Sequence, residues 1–174
     1  MNKLLVALAA MGMVFAAQGE HKIPRPEVPK SLEAPAGEEV ILVGHATGMQ
    51  IYVCQAGANP PFAWVFKAPE ADLSDPSGKK IIHHFAGPTW QHIDGSAVVG
   101  KKVNEDPKPN TIAWLLLTAA SHTGQGALSG VTSIQRIHTE GGVPPDAGTC
   151  GASSTPKEFR SPYSADYYFY ALEH

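Results

Sequence analysis

Short apolar runs, some continuous and some alternating with polar residues, recur along the chain with turn signals about every 8–15 residues, and almost no segment carries the 3.6-residue stripe of an amphipathic helix. Glu39-Val40-Ile41-Leu42-Val43-Gly44 is a continuous apolar run that reads as a first strand, consistent with burial on both faces. Met49 to Gln55 then alternates, with Met49, Ile51 and Val53 on one face and Gln50, Tyr52 and Cys54 on the other. The polar joint His45-Ala46-Thr47-Gly48 between these runs predicts a hairpin. Phe62 to Phe66 predicts a third strand. Its alternate aromatics Phe62, Trp64 and Phe66 are expected in a core, with a ligand pocket as the alternative.

Ala68 to Leu73 predicts one helical turn, and Asp75-Pro76-Ser77-Gly78-Lys79 a tight turn. Further strands are predicted at Lys80–Phe85 and Ala97–Val103. Thr111–Thr118, the most apolar segment after residue 19, reads as a central buried strand rather than a short core helix. Val131–Thr139 is a strand that puts Arg136 and His138 on one face, and Tyr163–Leu172 is an aromatic closing strand. About eight or nine short strands with long loops make an all-β, antiparallel sandwich or barrel. The first and last strands are both long, and pairing them would remove an exposed edge.

The N-terminus changes the picture of where the chain works. Met1-Asn2-Lys3 is a short positive start, and Leu4 to Ala17 is an uncharged, mostly apolar run followed by small residues. That is the pattern of a secretory signal peptide over residues 1–19, too short for a membrane span. Residues 20–37, with Pro24, Pro26, Pro29 and Pro35, read as an extended tether that is ordered only where it lies on the domain. Residues 38–174 then form a single β domain. The protein is expected to be secreted or periplasmic. Export makes a disulfide the default for its two cysteines, Cys54 and Cys150. The formal net charge is −3. This mild acidity argues against nucleic acid or an anionic membrane surface as a main partner, and no segment is suited to a membrane span.

Chemistry concentrates in His83 to Ser96, which holds three of the eight histidines, Trp90, and the turn pairs Gly87-Pro88 and Asp94-Gly95. If Gln91 to Asp94 is extended, His92 and Asp94 point to one side, and a carboxylate beside an imidazole fixes its tautomer and raises its basicity. His84 could fold back across the Gly-Pro turn, giving a zinc or copper site of His84, His92 and Asp94, completed by His138 or His45. The structural alternative makes Trp90 a core plug, Asp94 a cap for backbone donors, and the histidines a solvated face. The third reading is contact with a small organic ligand or glycan through His84, Trp90, His92, Asp94, Arg136 and His138. No Gly-x-Ser-x-Gly elbow surrounds Ser96, no carboxylate pair is fixed at a glycosidase separation, and the glycines at 124, 126 and 130 do not form a phosphate loop. Whether the protein is an enzyme is left open by these residues.

Several motifs in order, Tyr52-Val53-Cys54-Gln55, Phe62-Ala63-Trp64, Ala68 to Leu73, His84 to Trp90, Asp94-Gly95-Ser96, Ile112 to Leu117, Ile134 to Ile137, Thr139 to Gly142 and Tyr163 to Tyr170, resemble domain-of-unknown-function family 3455, exported proteins of bacteria and fungi. The resemblance runs from about Glu38 to Leu172. It implies export, one domain and a Cys54–Cys150 pair, and it transfers no catalytic role to any residue. Ala113 departs from the family pattern, which favours Pro there.

Overall fold

The computed structural model describes residues 22–57, 61–154 and 157–173. The predicted signal peptide, residues 1–19, lies outside the described residues. Eight antiparallel strands follow one another around a closed barrel: β1 (Glu38–Ala56), β2 (Phe62–Ser74), β3 (Lys80–Phe85), β4 (Thr89–His92), β5 (Ala97–Asp106), β6 (Trp114–Thr123), β7 (Ser133–Gly141) and β8 (Lys157–Leu172). β1 pairs with β8 along nearly its whole length, from Glu38 opposite Leu172 to Cys54 opposite Lys157, so the first and last strands close the sheet and no edge is left open. The predicted all-β antiparallel class is therefore met, as a barrel.

Two local expectations are corrected. His45-Ala46-Thr47-Gly48 is no hairpin: β1 runs through it unbroken for 19 residues. Its small residues serve a close approach. A Cβ at Gly48 would strike the Glu70 carbonyl oxygen and Ala71, so glycine there lets β2 lie tight against β1. Ala68 to Leu73 is no helical turn either, because it is the second half of β2 and pairs residue by residue with Ala46 to Ile51 of β1. Register shifts at Ile51/Tyr52, Val40/Leu42, Val99/Gly100 and Ile137/Glu140 are bulges that bend the strands into closure.

The interior is filled from every side by Ala46, Leu73, Ile82, Trp90, Val98, Leu117, Ile134, Ala165, Tyr167 and Phe169. Trp90 is 1 % exposed, and the expectation that it plugs the core holds. Gly100 on β5 makes room for it: a Cβ there would meet the indole ring at 2.8 Å.

One end of the barrel is sealed. The segment between β6 and β7 tucks Leu128 and Val131, at 0 % and 1 % exposure, under the strands. Asp94 and Ser96 hold it. Asp94 Oδ2 accepts from the Ala127 amide (2.8 Å), Ser96 Oγ accepts from the Leu128 amide (3.1 Å), and Asp94 Oδ1 accepts from both the Ser96 amide (2.9 Å) and hydroxyl (2.6 Å). Gly126 packs so closely on the Asp94 carboxylate that no side chain fits between them. The described part of the tether is a strap on the outer wall: Ile23 bridges Val40, Arg25 donates to the carbonyls of Ala34, Pro35 and Glu38 and lies over the Tyr170 ring, and Leu32 is fully buried.

At the other end, β8, β1 and β2 extend past the barrel as a three-stranded ribbon. Tyr52 lies opposite both Phe66 and Phe159, and Cys54 opposite both Trp64 and Lys157. The Cys54–Cys150 disulfide closes a 96-residue separation and ties the β7–β8 connection to this ribbon. It fits a non-cytoplasmic, oxidising compartment. No helix among the described residues is long and apolar enough to cross a membrane.

Candidate ligand-binding site

The ribbon end contains a cavity of about 250 Å³ reaching into the barrel. Every strand but β5 supplies a described lining residue by alternation: Gln50 from β1, Phe66 from β2, His84 from β3, Trp90 from β4, Leu115 and Leu117 from β6, Arg136 from β7 and Tyr167 from β8. The β3–β4 hairpin pairs His84 directly with Trp90, and their rings stack at 4.3 Å and 7°. Tyr167 sets its edge against both, at 5.4 and 5.5 Å.

His84 is 2 % exposed, so it does not join a solvated face as the structural alternative expected. Burial, partly offset by the Thr89 carbonyl and reinforced by the Arg136 charge, pushes its pKa down to about 3. The ring is neutral at pH 7. Its Nδ1 lies 2.9 Å from the Thr89 carbonyl, which can only accept, so Nδ1 carries the proton and Nε2 is left as an acceptor.

Arg136 directs Nε (3.1 Å) and Nη2 (2.8 Å) at one acceptor, the carbonyl oxygen of Ala113. Because only the backbone carbonyl is used, alanine serves there as well as the proline of the family pattern. Among the described residues no carboxylate pairs with Arg136. Glu105, on the same rim, is held by Lys102 at 2.6 Å. The guanidinium charge opposes the burial effects on Tyr52 and Tyr163.

Among the described residues, five buried side-chain polar atoms lack a hydrogen-bond partner. Three belong to residues lining the cavity: Gln50 Nε2, Trp90 Nε1 and the Tyr167 hydroxyl. A fourth is the Tyr163 hydroxyl; the fifth, Glu38 Oε2, is at the start of β1. Burial first, and the neighbouring Tyr167 second, raise the Tyr163 hydroxyl far above the usual phenol range. Tyr167 and Gln50 lie close enough to act on it through their polar atoms, at a geometry looser than an ordinary hydrogen bond.

Of the six residues singled out from the sequence, His84, Trp90 and Arg136 meet at this cavity. The other three do not. His92 and Asp94 pair with each other at 3.0 Å, and the Asp94 carboxylate is committed to the seal, whose Ser96 hydroxyl, Ala127 amide and Ser96 amide hold its pKa far below the carboxylate range. His138 was expected beside Arg136. The bulge after Ile137 turns it outward at φ +49°, where it and His45 contact the two oxygens of Asp166 at 2.9 and 2.8 Å. Among the described residues no three His, Cys, Asp or Glu side chains are placed to hold a metal ion, so His84, His92 and Asp94 do not assemble as a zinc or copper site. The reason is the hairpin register, which sets His92 opposite Ile82 and leaves His84 stacked on Trp90.

Gln50 and Tyr167 were missed as site residues, while Phe66 meets the alternative reading of its strand, a pocket lining. One signal pointed to Gln50. It shares a face with Cys54, and cysteines are among the most buried residues, so that face was the inner one. Phe66 is 50 % exposed at the rim rather than in a core.

No curated protein and no solved structure is significantly similar to this chain. A family match covers the barrel from the end of the strap almost to the end of β8, including the sealed end and the cavity end alike: the chain belongs to the family described as Protein of unknown function (DUF3455), matched over residues 35–171.

Proposed function

We propose that this protein is an exported binding module, secreted or periplasmic, whose barrel takes up one small organic molecule at its ribbon end. The observation that carries this reading is a cavity of about 250 Å³ lined by Arg136, an apolar wall and three residues, Gln50, Trp90 and Tyr167, that each hold a buried polar atom without a hydrogen-bond partner. More than about 90 % of buried polar groups in proteins are paired, and each orphan costs about 1–3 kcal/mol. Three of them on residues around one cavity are costly, and a guest that draws them to the cavity surface would satisfy them. Eight-stranded barrels have interiors that either fill with side chains or hold one small ligand; this one does the first at its sealed end and suits the second at the other.

Binding fits the lining better than catalysis. An imidazole with a pKa of about 3 is a poor base at pH 7, and among the described residues no carboxylate lines the cavity. An extended glycan fits less well, because His84 covers one face of Trp90 and leaves no open stacking platform.

The test is a screen of single-ring polar fragments against the full, disulfide-intact protein, read by melting temperature and tryptophan fluorescence. Fragments should raise the melting temperature and perturb the fluorescence, and Leu115→Trp, which fills the cavity, should abolish both effects. A screen without responders, or responders indifferent to Leu115→Trp, would overturn the reading.

A further inference from the structure

We infer that the molecule bound at this cavity is a small monocarboxylate with a compact apolar body about one ring in size, its carboxylate received by Arg136. This rests on the binding function proposed above. A guanidinium partly withdrawn from water gains from a counter-charge, and among the described residues its hydrogen bonds go only to a neutral carbonyl, that of Ala113. The other rim charges are already matched: Lys67 by Glu158 at 2.8 Å and Lys102 by Glu105 at 2.6 Å. Among the described rim residues one cation, Arg136, is left over, which matches one negative charge. The fork of an arginine suits the two oxygens of a carboxylate.

The remaining polar atoms agree in sign. Gln50 Nε2 and Trp90 Nε1 can only donate and the Tyr167 hydroxyl can donate; they belong to lining residues but are buried from solvent, so turning them toward a guest would favour one rich in acceptors. The rest of the wall, with Phe66, Pro69, Leu115 and Leu117, is apolar and ill suited to a bare inorganic oxyanion. A cavity of about 250 Å³ has the volume of about eight waters in the liquid, enough for one ring and its carboxylate.

The experiment is isothermal titration of the full chain at pH 7 with benzoate, benzamide and inorganic phosphate. Benzoate should bind at least tenfold tighter than benzamide, and phosphate should not compete. Arg136→Gln should bring benzoate down to the level of benzamide. Should that variant fail to fold, the wild-type preference and its weakening in Arg136→Lys, which keeps the charge and loses the fork, still decide the matter. Equal binding of benzoate and benzamide would overturn the anion and leave the binding function standing. Phosphate binding as tightly as benzoate would overturn the apolar body. If none of the three binds while other one-ring fragments still respond to Leu115→Trp, the carboxylate inference falls alone; if no fragment responds at all, both fall.

Discussion

The two ends of this barrel are built on opposite rules. At the sealed end, the Asp94 and Ser96 side chains accept from the Ala127 and Leu128 amides, and Leu128 is fully buried beneath them. At the ribbon end, among the described residues, three residues lining the cavity hold a buried polar atom without a partner, the Arg136 guanidinium has no carboxylate beside it, and Phe66 is half exposed. One end is held by packing and hydrogen bonds. The other is held by a covalent tie, the Cys54–Cys150 bond, and gives up stability to keep a space open. The difference teaches where to look for function: the incomplete end, and not the histidine-rich turn beside the complete one.

The largest effect should come from cutting the covalent tie. Replacing Cys54 and Cys150 by serine should cost about 4–5 kcal/mol on the chain-entropy model for a loop on the order of 100 residues, read as a lower urea midpoint. Hydrogen exchange should quicken in the ribbon and in residues 142–154 before it does in residues 124–132. An unchanged midpoint would mean the ribbon end holds itself together without the cross-link.

Next in size, Leu128→Ala at the sealed end should cost about 3 kcal/mol, the usual range for a fully buried leucine being about 2–5. Phe66→Ala at the ribbon end should cost under about 1 kcal/mol, because half of that ring is already in water. Equal losses in urea unfolding would erase the contrast between the ends.

Acid should then tell the ends apart. His84 has a folded pKa of about 3 against about 6.5 unfolded, so between those values the unfolded chain binds a proton that the folded chain refuses. Stability from this group is full above about 6.5 and falls as the pH drops, by about 3 kcal/mol at pH 4. Asp94, whose folded pKa is depressed, acts in a lower window: its contribution is present above the unfolded value of about 3.9 and is lost as the pH falls further. Urea midpoints between pH 7 and 4 should therefore slope in the wild type and flatten in His84→Phe, while Asp94→Asn should leave that slope intact. A slope that survives His84→Phe would place the acid sensitivity elsewhere.

Much of this was legible in the sequence, because strand alternation is local. The all-β class, the aromatic closing strand and the pairing of first and last strands follow from period and length. What was not legible depended on neighbours far along the chain. His45 to Gly48 looks like a turn because its residues are small and polar, whereas Ala46 is there for the interior and Gly48 for the approach of β2. Alternation shows that Gln50 and Ile51 face opposite ways but not which way is in. The same ambiguity hid Tyr167. Three of the six predicted site residues converged, since His84 and Trp90 face each other across one hairpin and Arg136 comes to them from β7. His138 was lost to a bulge that no pattern of period two can announce.

The smallest change is the sharpest probe of the contrast. Tyr167→Phe removes one hydroxyl and leaves the ring, with its edge contacts to His84 and Trp90, in place. At a completed end such a change would break a hydrogen bond and cost about 1 kcal/mol. Here the hydroxyl is buried and unpartnered, so its removal deletes a desolvation penalty and should be neutral or stabilising by up to about 1 kcal/mol in the ligand-free protein. The same variant should bind benzoate more weakly, since the guest loses a donor. A gain in stability together with a loss of affinity is the signature of a group kept for binding. Should Tyr167→Phe lower stability instead, the hydroxyl already has a partner in solution and the ribbon end is less incomplete than its geometry indicates.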